Sequence, residues 1–156
     1  MLKYVNTDIV FQEVPDETTL AINMSLCPCR CPGCHSSFLW GDVGEELTPA
    51  TLDVLIAQQG EAGITCISFM GGDNDPAAVD RLAVYLHTHH PQLKVAWYTG
   101  RTTITRAIDK SHFDYIKVGP YIRHLGPLKS QTTNQRMYRR RADGTFEDVT
   151  AWFWRK

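Results

Sequence analysis

The sequence predicts an α/β fold: an open partial (β/α) barrel with a mostly parallel sheet and a C-terminal hairpin extension. Three observations lead there. Four near-continuous apolar runs, Leu20 to Ser25, Ile64 to Met70, Leu93 to Thr99 and Phe113 to Val118, read as strands covered on both faces. Helical patterns separate these runs, which is the rhythm of βα units. Finally, a chain of 156 residues holds too few such units to close an eight-unit barrel of about 250 residues.

Taken in chain order, Thr7 to Val14 carries Ile9 and Phe11 in a partly alternating pattern and reads as a flanking strand. Pro15-Asp16 is the turn that follows it. After the first apolar run, Thr48 is placed to cap a helix with Pro49 at its first position, and Leu52, Leu55 and Ile56 recur at helical spacing. A second helix opens at Asp75-Pro76 by the same logic. Val79, Leu82, Ala83 and Leu86 form its buried stripe, and Pro91 stops it. His87, His89 and His90 sit at its end, where cationic side chains suit the carbonyl groups. A shorter helix is expected after Gly100, through Thr103 to Asp109. Beyond Gly119-Pro120 the chain turns polar. Met137-Tyr138-Arg139, an Ala142-Asp143-Gly144 turn and Thr145 to Val149 then read as a terminal hairpin. One domain is expected over 1–156, with a cysteine loop at 26–37 and the C-terminal loop and hairpin from about 120.

Sixteen basic and seventeen acidic residues give a formal charge of -1, so no global field favours nucleic acid or an anionic membrane. No apolar stretch approaches the roughly 20 residues that span a bilayer, and the first residues lack the basic segment and apolar core of a signal peptide; the expected location is cytoplasmic. Five cysteines, an odd number, argue for reduced thiols on a metal rather than a disulfide framework.

The cysteine loop carries the most chemistry. Cys27, Cys31 and Cys34 are spaced C-x-x-x-C-x-x-C directly after an apolar run. Three thiolates hold three irons of a 4Fe-4S cubane and leave the fourth open, whereas an electron-transfer cluster is normally closed by four. Cys29 complicates this, because it supplies a fourth thiol within the same eight residues, and four thiolates also suit zinc. Structural zinc sites usually pair two separated C-x-x-C knuckles, and no second knuckle is present; Cys66 stands alone in its own apolar run. Three readings stay open on the loop alone: an open iron-sulfur cluster, a closed metal site with His35 as a further candidate zinc ligand, and structural cysteines.

Other candidate groups follow the expected strands. In Met70-Gly71-Gly72-Asp73 two glycines let the backbone approach a ligand and an acid can receive an ammonium group. The plainer reading is a tight strand-to-helix turn with Asp73 or Asp75 as a cap. Trp97 and Tyr98 read as core and rim packing, while Thr99 or Arg101 can hydrogen-bond a ribose or pair with a carboxylate. These loops, with Gly119-Pro120, should converge on one rim, because function in parallel α/β folds lies at the carboxyl ends of strands.

Together the cysteine loop and the Gly-Gly-Asp segment resemble the radical S-adenosylmethionine enzymes. Adding Trp97-Tyr98-Thr99-Gly100 and Asn134-Gln135-Arg136, in this order and at this chain length, the sequence looks like the activating proteins of anaerobic class III ribonucleoside-triphosphate reductase. The resemblance implies a partial barrel of the radical S-adenosylmethionine type, with Cys27, Cys31 and Cys34 holding the cluster. S-adenosylmethionine would chelate the open iron beside Gly71, Gly72 and Asp73. It further implies a 5'-deoxyadenosyl radical that abstracts hydrogen from a glycine of the reductase large subunit, with a reduced flavodoxin-type protein as electron donor. Two departures stand out. Gly33 occupies the position where many such loops carry an aromatic residue against the adenine, which leaves that packing to His35 or Phe38, and Cys29 lies outside the three-cysteine pattern.

Arg136 with Arg139-Arg140-Arg141 makes a basic patch on an otherwise neutral chain. A run of this kind is ordinarily a solvated face. Its sharper reading, with Asn134, Gln135, Arg136, Arg139 and Arg141, is a docking surface for an acidic partner. Rival functions are an activase for another glycyl-radical enzyme, a radical enzyme acting on a small molecule such as a pterin-derived precursor, and a non-catalytic zinc or iron-sulfur interaction module.

Overall fold

The four apolar runs become the centre of one sheet. In the computed structural model, which describes residues 1–25, 41–60 and 62–155, the strands are β1 (Lys3–Val10), β2 (Thr19–Met24), β3 (Glu45–Glu46), β4 (Cys66–Met70), β5 (Lys94–Tyr98), β6 (Tyr115–Val118), β7 (Arg136–Arg140) and β8 (Phe146–Asp148). They form an eight-stranded sheet in the order β3-β1-β2-β4-β5-β6-β7-β8. Helix α1 (Pro49–Ala57) lies between β3 and β4 in the chain and α2 (Pro76–His89) between β4 and β5.

This corrects the expectation of an open partial (β/α) barrel of the radical S-adenosylmethionine type with a mostly parallel sheet. Only β2–β4, β4–β5 and β5–β6 pair in parallel. The other four pairings, β1–β2, β1–β3, β6–β7 and β7–β8, are antiparallel. Two causes can be named. Short connections, through Pro15-Asp16 on one side and Asp143-Gly144 on the other, can only return a strand antiparallel. And the third expected helix, Thr103 to Asp109, does not form, leaving among the described residues two α-helices against eight strands. Thr102, Thr103, Ile104 and Thr105 are all β-branched and lose χ1 freedom in a helix. The connection runs instead as irregular chain into a 3-10 turn, Lys110–His112, capped by the Asp109 carboxylate, which accepts from the Ser111 N–H at 3.0 Å.

The two expected helices form as their caps indicate. The Thr48 hydroxyl accepts from the Thr51 N–H at 3.1 Å, the Asp75 carboxylate accepts from the Ala78 N–H at 3.3 Å, and a proline opens each helix. Along each central strand, side chains alternate between two cores. Ile22, Phe69, Trp97 and Ile116 face the helices and meet Leu52, Val79, Leu82 and Leu86. Cys66, Ala96, Tyr115 and Met137 face the other way and are closed over by Val14, Leu128 and Val149. Burial on both faces explains why the runs contain so few polar residues. The sheet ends at two short edges, β3 with its paired glutamates and the three-residue β8, as soluble sheets do to avoid pairing with other chains. Among the described residues no helix is long and apolar enough to cross a membrane.

The histidines expected only to suit a helix end tie elements together. His90 Nε2 lies 2.8 Å from an oxygen of Asp53, whose other oxygen accepts from the Tyr85 hydroxyl at 2.5 Å, joining α2 to α1. The hydrogen bonds from His90 first and Tyr85 second hold the Asp53 carboxyl below the usual carboxylate range. A carboxylate depressed in the folded state stabilises above its unfolded pKa, about 3.9, and loses that contribution as pH falls through its folded value. Asp53→Asn is therefore expected to melt at a lower temperature than the unaltered protein at neutral pH, with the gap closing in acid. A gap that did not narrow at all as pH falls below the ordinary carboxylate range would show that the charge on Asp53 is not its cause.

Candidate functional site

Parallel pairing brings four strand ends to one line. In register across the sheet lie Asn23, Met70, Tyr98 and Lys117, one from each of β2, β4, β5 and β6. The next residues on each strand therefore form a common rim: Met24-Ser25, Gly71-Gly72-Asp73, Thr99-Gly100-Arg101 and Val118-Gly119. The loop that leaves β2 carries Cys27, Cys29, Cys31, Cys34 and His35, with Phe38 beyond; all of these lie outside the described residues.

At the end of β4, Gly71 and Gly72 both take left-handed backbone angles, φ +108° and +91°. A Cβ on Gly72 would stand 2.7 Å from Val79 Cγ2, so this glycine is needed for the turn to close against α2. The Trp97 indole N–H donates to the Gly71 carbonyl at 2.7 Å, and the Gly71 N–H donates to the Tyr98 carbonyl at 3.0 Å. Asp73 follows, 3 % exposed. Its carboxylate accepts from the Thr99 hydroxyl and, at 2.9 Å, from the Gly100 N–H. Arg101 reaches back to the Asp73 carbonyl at 3.4 Å, and its own N–H donates to Thr99 Oγ1 at 3.1 Å. The Gly-Gly-Asp and Thr-Gly-Arg segments, read separately from sequence, are thus one hydrogen-bonded unit. The acid expected to receive a ligand's ammonium group is also the tie between the two loops.

Sequence reading missed Lys117. It sits in the apolar run of β6, is 8 % exposed, and donates to the Thr99 carbonyl at 3.2 Å and the Gly119 carbonyl at 2.9 Å, with its ammonium 5.4 Å from the centre of the Tyr98 ring. A lone cation inside an apolar strand was the signal. It braces the ends of β5 and β6, and the Gly119 N–H adds a bond to the Arg101 carbonyl at 2.7 Å. Asp73 and Lys117 place two buried charges of opposite sign on the rim.

The Asn134-Gln135-Arg136 segment divides. Asn134 donates to the Pro120 carbonyl at 3.0 Å and the buried Gln135 amide lies 3.5 Å from the Gly119 carbonyl, so both belong to the rim rather than to a solvent-facing patch. The arginines extend along the hairpin and face acids across it: Arg136 to Asp148 at 3.8 Å, Arg139 to Glu147 at 3.8 Å and Arg141 to Glu147 at 3.6 Å. Arg140 pairs with Asp114 at 3.1 Å. The basic run is balanced within the fold, and loose exposed pairs of this kind contribute little to stability. On the sheet face away from the helices, a cavity of about 310 Å³ opens beside Tyr98 and Gln135, with Glu13, Leu128 and Phe153 among its walls.

Cys66 is set apart from the rim by position, and burial keeps its thiol protonated. It begins β4, at the end of the strand away from the rim, and burial pushes its thiol far above the ordinary range, whereas metal ligation needs the thiolate. The loop's four thiols, in contrast, are a donor set of the type that iron-sulfur clusters take. Residues 18–124, well over half of the chain, match the family model of the 4Fe-4S single cluster domain, and the chain belongs to that family. The open choice among cluster, zinc and structural cysteines is thereby decided for a 4Fe-4S cluster. No curated protein matched the chain, and no solved structure did.

If the Asp73 tie organises the rim, Thr99→Val, which strips a buried carboxylate of its hydroxyl donor, costs about 1–3 kcal/mol in urea unfolding, while Thr99→Ser stays close to the unaltered protein. Equal losses in both variants would count against the hydroxyl. Gly72→Ala is expected to cost about 1–3 kcal/mol by the same measurement, from overpacking against Val79 at a backbone angle that alanine resists.

Proposed function

We propose that this protein is a radical S-adenosylmethionine enzyme that activates a glycyl-radical partner, the large subunit of anaerobic ribonucleotide reductase, with a reduced flavodoxin-type protein as electron donor. The observation that carries the reading is the meeting, at one rim, of the strand that leads into the cluster loop with the Gly71–Asp73 and Thr99–Arg101 unit. Cys27, Cys31 and Cys34 would hold the cluster. S-adenosylmethionine bound there would supply the radical chemistry that removes a hydrogen atom from glycine, a step beyond any side-chain oxidant.

The chain's own groups fit a zwitterionic cofactor. Asp73 and Lys117 offer buried charges of opposite sign, suited to an ammonium and a carboxylate. Thr99 and the Gly100 N–H orient the Asp73 carboxylate; the Trp97 indole fixes the Gly71 carbonyl; Arg101 is positioned by both Asp73 and Thr99. The Tyr98 ring shields the Lys117 ammonium from water. A second reading, a non-catalytic iron-sulfur interaction module, is favoured by one fact: Val79, Trp97 and Thr99 already account for Gly71, Gly72 and Asp73 within the fold.

Anaerobic reconstitution separates the two. The activase reading expects about four irons per chain, reductive cleavage of S-adenosylmethionine, and an electron paramagnetic resonance doublet from a glycine-centred radical when the reductase is added. Cys27→Ser, Cys31→Ser and Cys34→Ser each lose the cluster, while Cys29→Ser keeps it. A fully loaded cluster that needs Cys29 and never cleaves the cofactor would leave only the interaction module.

A further inference from the structure

The helix layer over the sheet stops short. Helices α1 and α2 pack on one face of the central strands, but the chain between β5 and β6 forms no α-helix. On that side of β6, β7 and β8 lies a cavity of about 1320 Å³. Its floor is apolar: Ile116 and Val118 from β6, Tyr138 from β7 and Phe146 from β8, all packed against the core that the helices share. Small-ligand pockets usually enclose about 300–1,000 Å³, so this one has room for a piece of polypeptide. Three strands about 4.8 Å apart make a floor about 10 Å wide, the diameter of an α-helix with its side chains.

The charges at its edge are unequal. An Asp80 oxygen lies 3.0 Å from His112 Nδ1 and accepts from the Asp109 N–H at 3.0 Å, and the Asp109 carboxylate accepts from the Ser111 N–H at 3.0 Å and hydroxyl at 2.7 Å. Both acids are engaged. Arg106 and Lys110 are exposed and form no ion pair among the described residues; the Lys110 ammonium stands 5.8 Å from the centre of the Phe146 ring. The cavity is also continuous with the rim. Thr103 and Thr102 in its wall follow directly on Arg101, and Val118 in its floor directly precedes Gly119.

We propose that this groove seats an acidic amphipathic helix of the glycyl-radical partner, with its apolar face on Tyr138 and Phe146 and its carboxylates toward Arg106 and Lys110. Docking of a helix in a groove anchors a partner through one apolar stripe, and free cations at the edge select the acidic one. Held there, the partner lies against the rim that must receive its glycine. This docking rests on the activase reading and adds to it the surface by which the partner is gripped.

Arg106→Glu combined with Lys110→Glu, and separately Phe146→Ser, test it in the reconstituted protein with the large subunit of anaerobic ribonucleotide reductase. Both variants are expected to bind the reductase about tenfold more weakly, and binding by the charge-reversed protein loses most of its salt dependence. The glycine-centred radical signal falls in step, while reductive cleavage of S-adenosylmethionine without the reductase keeps its rate. Hydrogen exchange in the complex is expected to protect residues 102–112 here and one acidic helical segment of the reductase; protection confined to a loop or strand of the reductase overturns the helix. Unchanged binding and radical yield in the charge-reversed protein overturn the docking and leave the activase reading intact. An unaltered protein that neither cleaves the cofactor nor yields the radical defeats that reading, and this docking with it. Self-association of the chain alone that the substitutions abolish would give the groove to a second copy, and also overturns the proposal. Should Phe146→Ser fail to fold, the charge reversal at two exposed positions decides.

Discussion

A buried carboxylate holds this rim together. Asp73 has left water almost entirely, and its charge is met by the Thr99 hydroxyl and the Gly100 N–H on the neighbouring strand's loop. An anion in that position would be strongly unfavourable without such donors. Their presence forces the β4 and β5 loops to keep one mutual placement. Everything near them then follows: Arg101 is drawn back over Asp73, Gly119 is drawn to Arg101, and Lys117 closes the set from below.

Much of the architecture could be read from residue order because local signals agreed with burial. Thr48-Pro49 and Asp75-Pro76 each combine a cap with a residue that tolerates the first turn, and both helices start there. The four apolar runs are strands because each is buried on both faces. The topology of the sheet was not legible in the same way. Whether a flanking strand returns parallel or antiparallel is a property of its connection, and the polar stretch from Gly119 to Gln135, which leads from β6 into the antiparallel β7, carries no local signal of direction. The barrel expectation failed at those connections, not at the strands.

The site divides along similar lines. The cysteine spacing announces iron-sulfur chemistry because thiolate count is a chemical requirement that survives any fold. Asp73 and Thr99 were visible as candidates, yet the bond between them is a contact across 26 residues that no local pattern contains. Lys117 was hidden by the opposite effect, since a single charge in an apolar run reads as noise until the strand is placed beside its neighbours. What the arginine run did not show by itself is its pairing: Glu147 and Asp148 follow it only a turn later in the chain and fold back against it.

Cys66 carries one more consequence. A protein that assembles an iron cube must gather metal and sulfide while other sulfur donors compete for them. By keeping Cys66 protonated inside the sheet, at the end of β4 away from the rim, this chain withholds that thiol from incoming iron and from cross-linking with a ligand thiol under oxidation. Cluster assembly is thus left to the thiols that the loop itself supplies.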